Sequence, residues 1–154
     1  MSKDILVSRR SAISALAASV LTAPNAAWAQ VQNVHFGILA QEPDGSYALK
    51  TETRTIPRHY KETGFRFGIA FDNPNRDQIT WYEVLHLPLE PSAATGNLRK
   101  DAPRTLKTEV QESDQSQIVD DFWFDEGDPL GKHEMQLYVN DQVVSKVSFN
   151  VVRT

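Results

Sequence analysis

Cysteine is absent from all 154 residues. That excludes a disulfide, a thiol nucleophile, a thiolate metal ligand and the acylated cysteine of a bacterial lipoprotein, so the fold must rest on packing alone. Long hydrophobic runs are missing too. The apolar stretch "SAISALAASVLTA" (residues 11–23) is too short to cross about 30 Å of hydrocarbon, and nothing later approaches that length. Positive charge is scarce: 16 basic residues stand against 20 acidic ones, net −4, which offers no electrostatic footprint for nucleic acid. Enzyme signatures are also wanting, with no G-x-S-x-G elbow, no glycine-rich phosphate loop and no dinucleotide fingerprint. "HEMQL" from His133 begins like the zinc motif H-E-x-x-H, but its fifth residue is Leu137 and an extended backbone would turn His133 and Glu134 to opposite faces.

The first thirty residues differ in character from the rest. A basic start ending in Arg9 and Arg10, a short apolar middle and the A-x-A of Ala27–Ala29 are the three parts of a cleaved secretory signal. Cleavage after Ala29 leaves Gln30 first, no stable membrane anchor and a single domain over residues 30–154. "SRRSAIS" (residues 8–14) resembles a twin-arginine signal, with Ala12 and Ser14 departing from the usual pattern; a general secretory signal is the alternative. Removing residues 1–29 takes away three basic residues and one acid, leaving thirteen against nineteen, so the mature chain carries −6. The expected location is periplasmic or secreted.

From Val31 onward the chain reads as short strands separated by turns, and helical periodicity is missing. "GFRFGIAF" (Gly64–Phe71) puts Phe65, Phe67, Ile69 and Phe71 on one face at period two. "KHEMQLYVNDQVVSKVSFNVV" (Lys132–Val152) reads as two paired strands turning at Asn140–Asp141, with Met135, Leu137 and Val139 inward on the first and Val143, Val147, Phe149 and Val151 inward on the second. Further strands are expected near Val31–Ala40, Tyr47–Ile56, Gln78–Leu87, Thr105–Gln111 and Ile118–Phe124, with Glu90–Arg104 the longest, mobile break. Seven to eight short strands with two alternating faces predict an all-β, immunoglobulin-like antiparallel β-sandwich; a small closed barrel is the alternative.

"TWYEVLHLP" (Thr80–Pro88) carries two aromatics, a carboxylate and a histidine. On a strand, Ile79, Trp81, Glu83, Leu85 and Leu87 share the inward face, while Thr80, Tyr82, Val84 and His86 share the outward one. Opposite parity separates Glu83 from His86 and disfavours an acid/base pair. Glu83 itself interrupts the apolar face, which is accounted for by a rim position or a bulge. Of "FWF" (Phe122–Phe124), either Trp123 or its two neighbours must face outward; an outward Trp123 either offers a flat ring to a ligand or covers an edge of its own domain. Tyr82, His86 and Trp123 are therefore the candidate ligand-binding residues.

Metal chemistry has two weak footholds. Between Lys107 and Lys132 lie eight acids and no base, ending in Asp125, Glu126 and Asp128, whose spacing is not that of a calcium loop; a solvated acidic edge that blunts strand pairing explains them. The four histidines, His35, His59, His86 and His133, are scattered, with no close pair.

"GFRFGI", "WYEVLHLP", "FWFDEGDPLGKHEMQLYVNDQ" and the final "SFNV" resemble a bacterial family catalogued as domain of unknown function 3859. Here Leu87 separates His86 from Pro88, and His133 or Met135 stands where an aromatic is usual. The resemblance implies a sandwich-like fold and carries over no catalytic residue. Taken together, the sequence predicts an exported, cofactor-free binding or assembly module that is not an enzyme, whose partner is a periplasmic protein or other extracytoplasmic ligand; a metal-binding protein or metal-dependent enzyme is the alternative.

Overall fold

The computed structural model describes residues 31–59, 61–91, 94 and 96–154, and among these described residues it holds eleven strands and no helix. The expected leader, residues 1–29, lies outside the described residues. The strands are β1 (Gln32–Gln41), β2 (Tyr47–Glu52), β3 (Thr55–Pro57), β4 (Arg66–Asp72), β5 (Ile79–His86), β6 (Leu98–Ala102), β7 (Thr105–Thr108), β8 (Gln111–Ser113), β9 (Gln117–Phe122), β10 (Gly131–Val139) and β11 (Gln142–Val152). Sheet A runs β2-β1-β4-β9. Sheet B runs β3-β11-β10-β5-β7-β6, with β8 also paired to β5.

Alternation builds the seam between the sheets. Phe36 of β1, Phe67, Ile69 and Phe71 of β4, and Ile118 and Phe122 of β9 face Trp81 and Leu85 of β5, Met135, Leu137 and Val139 of β10, and Val147, Phe149 and Val151 of β11. All are buried, and Phe36 meets Phe149 across the seam with ring centroids 4.7 Å apart. The result is an immunoglobulin-like β-sandwich with antiparallel pairing throughout, except that short β3 runs parallel to β11. Asn140 and Asp141 turn the β10–β11 hairpin at φ 48° and 62°, the left-handed pair that such a turn demands.

Several segment boundaries differ from the sequence expectation, each for a local reason. Tyr47–Ile56 is not one strand: the Thr53 hydroxyl accepts from the Thr55 N–H at 3.2 Å, diverting the backbone so that β2 stays in sheet A while β3 joins sheet B. Glu90–Arg104 is not an unbroken loop, because Leu98–Ala102 forms a hairpin with β7. Thr105–Gln111 splits into β7 and β8, which meet β5 at different points. These divisions raise the expected seven or eight strands to eleven. Phe65 lies just before β4, half-buried against the core and 4.9 Å from the His59 ring.

Sheet A curls sharply toward its outer face. Gly37 and Gly68 permit this, since a Cβ at either would lie 2.0 or 1.9 Å from the carbonyl oxygen of Thr51 or Asp120 on the next strand. The curl brings β2 over toward β4 and β9, which makes the outer face of sheet A concave.

Candidate functional site

The uninterrupted ladder of β5 against β10 fixes where its side chains go. Tyr82 and His86 emerge together on the outer face of sheet B, as alternation predicts. Tyr82 stacks on Tyr138, its partner in register, at 4.7 Å and 9° between planes. Lys107 Nζ stands 4.0 Å from the centroid of the Tyr82 ring. His86 Nδ1 is 3.3 Å from Thr105 Oγ1, on the same strand as Lys107. Desolvation, with the Asp141 carboxylate adding to it, raises the Tyr82 hydroxyl above the ordinary phenol value. The arrangement is a cation-capped, face-to-face aromatic stack standing on a rigid sheet.

Trp123 is not part of that surface. Phe122 and Phe124 turn inward and Trp123 outward, 40% exposed, on the side of sheet A. Its ring lies 5.1 Å from the Arg66 guanidinium, which is also 5.8 Å from the Tyr47 ring and bonded to Asp121 at 3.0 Å. A Cβ at Gly96 would come within 2.7 Å of the indole. With Tyr47, Trp123 flanks Arg66 between β2 and the end of β9, so it lies apart from Tyr82 and His86.

Glu83 overturns both expectations placed on it. It is neither at a rim nor at a bulge; it is fully buried at the centre of β5. The break between β7 and β8 makes this tolerable. There the Thr108 hydroxyl accepts from the Glu83 backbone N–H at 2.8 Å and donates to Glu83 Oε2 at 3.0 Å. Across the seam, Asp120 of β9 points inward with Ile118 and Phe122 and lies within hydrogen-bonding reach of Glu83. Among the described residues, Glu83 Oε1 and Asp120 Oδ2 have no donor, so a proton held between the two carboxyls satisfies both. Burial first, then the facing Asp120 charge, lifts Glu83 well above the usual carboxylate range; burial likewise pushes Asp120 up to about 6. The sequence signal for this pair was present but unread: an acid at an inward parity position on each of two strands that face one another.

The other titratable groups stay apart. His133, 4% exposed, stacks on Phe149 at 5.2 Å and pairs through Nδ1 with the Gly131 carbonyl at 2.9 Å, while burial holds it below its ordinary value and hence neutral. It borders a cavity of about 40 Å³ walled by Phe67, Phe122, Phe124 and Leu85. His35 lies on the outer face of sheet A, His59 in the loop before β4, and His86 on the outer face of sheet B. Among the described residues, no three His, Cys, Asp or Glu side chains gather where an ion could be held. No helix among them is long and apolar enough to cross a membrane.

Comparison with known proteins agrees with the architecture. An immunoglobulin-like protein (PA1606) from Pseudomonas aeruginosa superposes with a TM-score of 0.54 at 16% identity, covering 82% of this chain and 99% of that one. At that identity the likeness concerns the fold. The soluble domain of PmoD from Methylocystis sp. matches with a TM-score of 0.44 at 20% identity, over 80% of this chain and 97% of that one. No curated protein matches the chain in sequence. The profile of the PM0630 β-sandwich domain matches residues 34–152, from within β1 to the last residue of β11, and the chain belongs to that family.

Proposed function

We propose that the domain is a non-catalytic binding or assembly module that works outside the cytoplasm, contacting a periplasmic protein or other extracytoplasmic ligand through the outer face of sheet B. The observation that carries this reading is the stacked Tyr82–Tyr138 pair with Lys107 over it. Two rings already stacked face to face on a rigid sheet lose little freedom on binding, and they present ring edges and hydroxyls to a partner. His86, on the same face, adds a group that donates or accepts. The absence of a reaction is supported by the placement of the acids and bases: Glu83 and His86 point to opposite sides of the sheet, and Glu83 is fully buried in the seam. Export is supported by the leader pattern in residues 1–29, and membership of the family called domain of unknown function 3859 by the four segments quoted above.

The test is photo-crosslinking in the periplasm from a reactive residue placed at Val84, which lies between Tyr82 and His86 on the same face, with Lys50 on β2 as the comparison site. The expected result is a discrete adduct from Val84, none from Lys50, and loss of the adduct when Tyr82→Ser and Tyr138→Ser are combined. Equal adducts from both sites, or an adduct indifferent to the double substitution, would assign the contact elsewhere.

A further inference from the structure

The curl of sheet A leaves a groove of about 300 Å³ on its outer face, within the size range of small-ligand sites. Its lining is mixed: Leu49 of β2 and Val119 of β9 give it apolar sides, buried Ala70 of β4 contributes to the floor, and Asn33, His35, Asp72 and Gln117 supply polar groups. The two ends differ. Toward the start of β4, outside the groove's lining, Arg66 is held between Tyr47 and Trp123 and paired with Asp121, so that cation is already engaged. At the other end of β4 stands Asp72. Its Oδ2 accepts a hydrogen bond from Asn33 Nδ2 at 2.8 Å, and it has no cationic partner among the described residues.

The geometry around Asp72 is built rather than incidental. Asn33 adopts a left-handed backbone, φ 50°, where the pairing of β1 with β4 slips between Gln32 and His35. That irregularity is what aims the Asn33 amide at the carboxylate and fixes its orientation. Nearby, His35 is occupied with Glu52 at 3.1 Å and does not neutralise Asp72. A groove of mixed lining, with an apolar strip at Leu49, Ala70 and Val119 and a carboxylate that has no cationic partner among the described residues, suits a ligand with a short apolar stem and a positive head.

We infer that this groove binds an aliphatic primary ammonium on a straight carbon stem, the stem lying between Leu49 and Val119 and the head donating to Asp72. Two sources supply that chemistry: a free alkylamine, or a lysine side chain of a polypeptide. The site is separate from the Tyr82–Tyr138 face, and its test is independent of the function proposed above.

The experiment is a titration of the ¹⁵N-labelled protein followed by amide chemical shifts, with n-pentylamine, n-pentanol and Nα-acetyl-lysine amide as probes. Pentylamine is expected to shift the Leu49, Ala70 and Val119 amides saturably, with pentanol at least tenfold weaker. Asp72→Asn should weaken pentylamine binding at least fivefold while the remaining spectrum superposes on that of the parent. Leu49→Trp, which fills the trough and leaves Asp72 intact, should abolish the shifts and serves if the Asp72 variant does not fold. Nα-acetyl-lysine amide shifting the same amides identifies a polypeptide lysine as the source; pentylamine acting alone identifies a free amine. Pentanol equal to pentylamine, binding unchanged in Asp72→Asn, or no saturable shift at millimolar probe each overturns the inference.

Discussion

A carboxyl at the centre of an apolar seam is costly when ionised, and two facing each other cannot both ionise cheaply. Glu83 and Asp120 are in that position, with Thr108 the one hydroxyl shown bonded to Glu83. Both are raised above their values in an unfolded chain, so the folded state holds more protons, and stability is lost as pH rises from the ordinary carboxylate range through the folded values. Asp120, moved from 3.8 to about 6, corresponds to a change on the order of 3 kcal/mol by that linkage. The melting temperature is therefore expected to be higher at pH 5 than at pH 8. Glu83→Gln, which keeps a donor toward Asp120 and removes the second ionisation, should raise the melting temperature at pH 8 by several degrees and change it little at pH 5. Parallel profiles for the two proteins would show that the carboxyls titrate independently of the seam.

At the scale of the strand, one extra residue decides which side chains are core. Period-two reading of β11 places Val143 inward with Val147, Phe149 and Val151, and Val144 outward. The structure reverses the first pair. Leu137 faces Ser145 and Tyr138 faces Val143, leaving Val144 unpaired in a bulge, where it packs against the core while Val143 joins Tyr138 on the outer face. Val144→Asp is thus expected to destabilise the fold by about 2 kcal/mol or more, because it carries a charge toward the seam, whereas Val143→Asp should cost under about 1 kcal/mol. Urea denaturation of the two variants measures the difference, and equal midpoints would mean the parity is not broken there. The sequence holds no mark of the bulge, since "QVVSKV" alternates acceptably in either register. The clean alternation of β4, β5 and β10, by contrast, is legible because each presents large apolar residues at most of its inward positions, interrupted by Glu83 on β5 and His133 on β10.

At the scale of the whole molecule, the absence of cysteine leaves the two-sheet seam to hold the domain together, and the leader pattern sets where it is expected to work. If export follows the twin-arginine route, replacing Arg9 and Arg10 together by lysine should leave the unprocessed chain in the cytoplasm, read by cell fractionation and by the mass of the retained residues 1–29. Processing and export undiminished in that variant would instead point to the general secretory route. In either case the exported unit is expected to begin at Gln30 and to comprise both sheets.

Fold class followed from local order. Rows such as Phe67, Ile69 and Phe71 and the Asn140–Asp141 turn constrain the backbone within a few residues, and that is information a sequence carries directly. Separating Tyr82 and His86 from Glu83 needed nothing more. What only tertiary structure decided is where strands distant in sequence meet. Glu83 and Asp120 are 37 positions apart and become partners only because sheets A and B close face to face. Likewise Trp123 and Tyr47 meet around Arg66, and Asp72 ends up at the open end of a trough, only because sheet A curls at Gly37 and Gly68. Alternation assigns each residue to a face; which faces oppose one another, and how sharply a sheet bends, depends on pairing and packing across the whole chain.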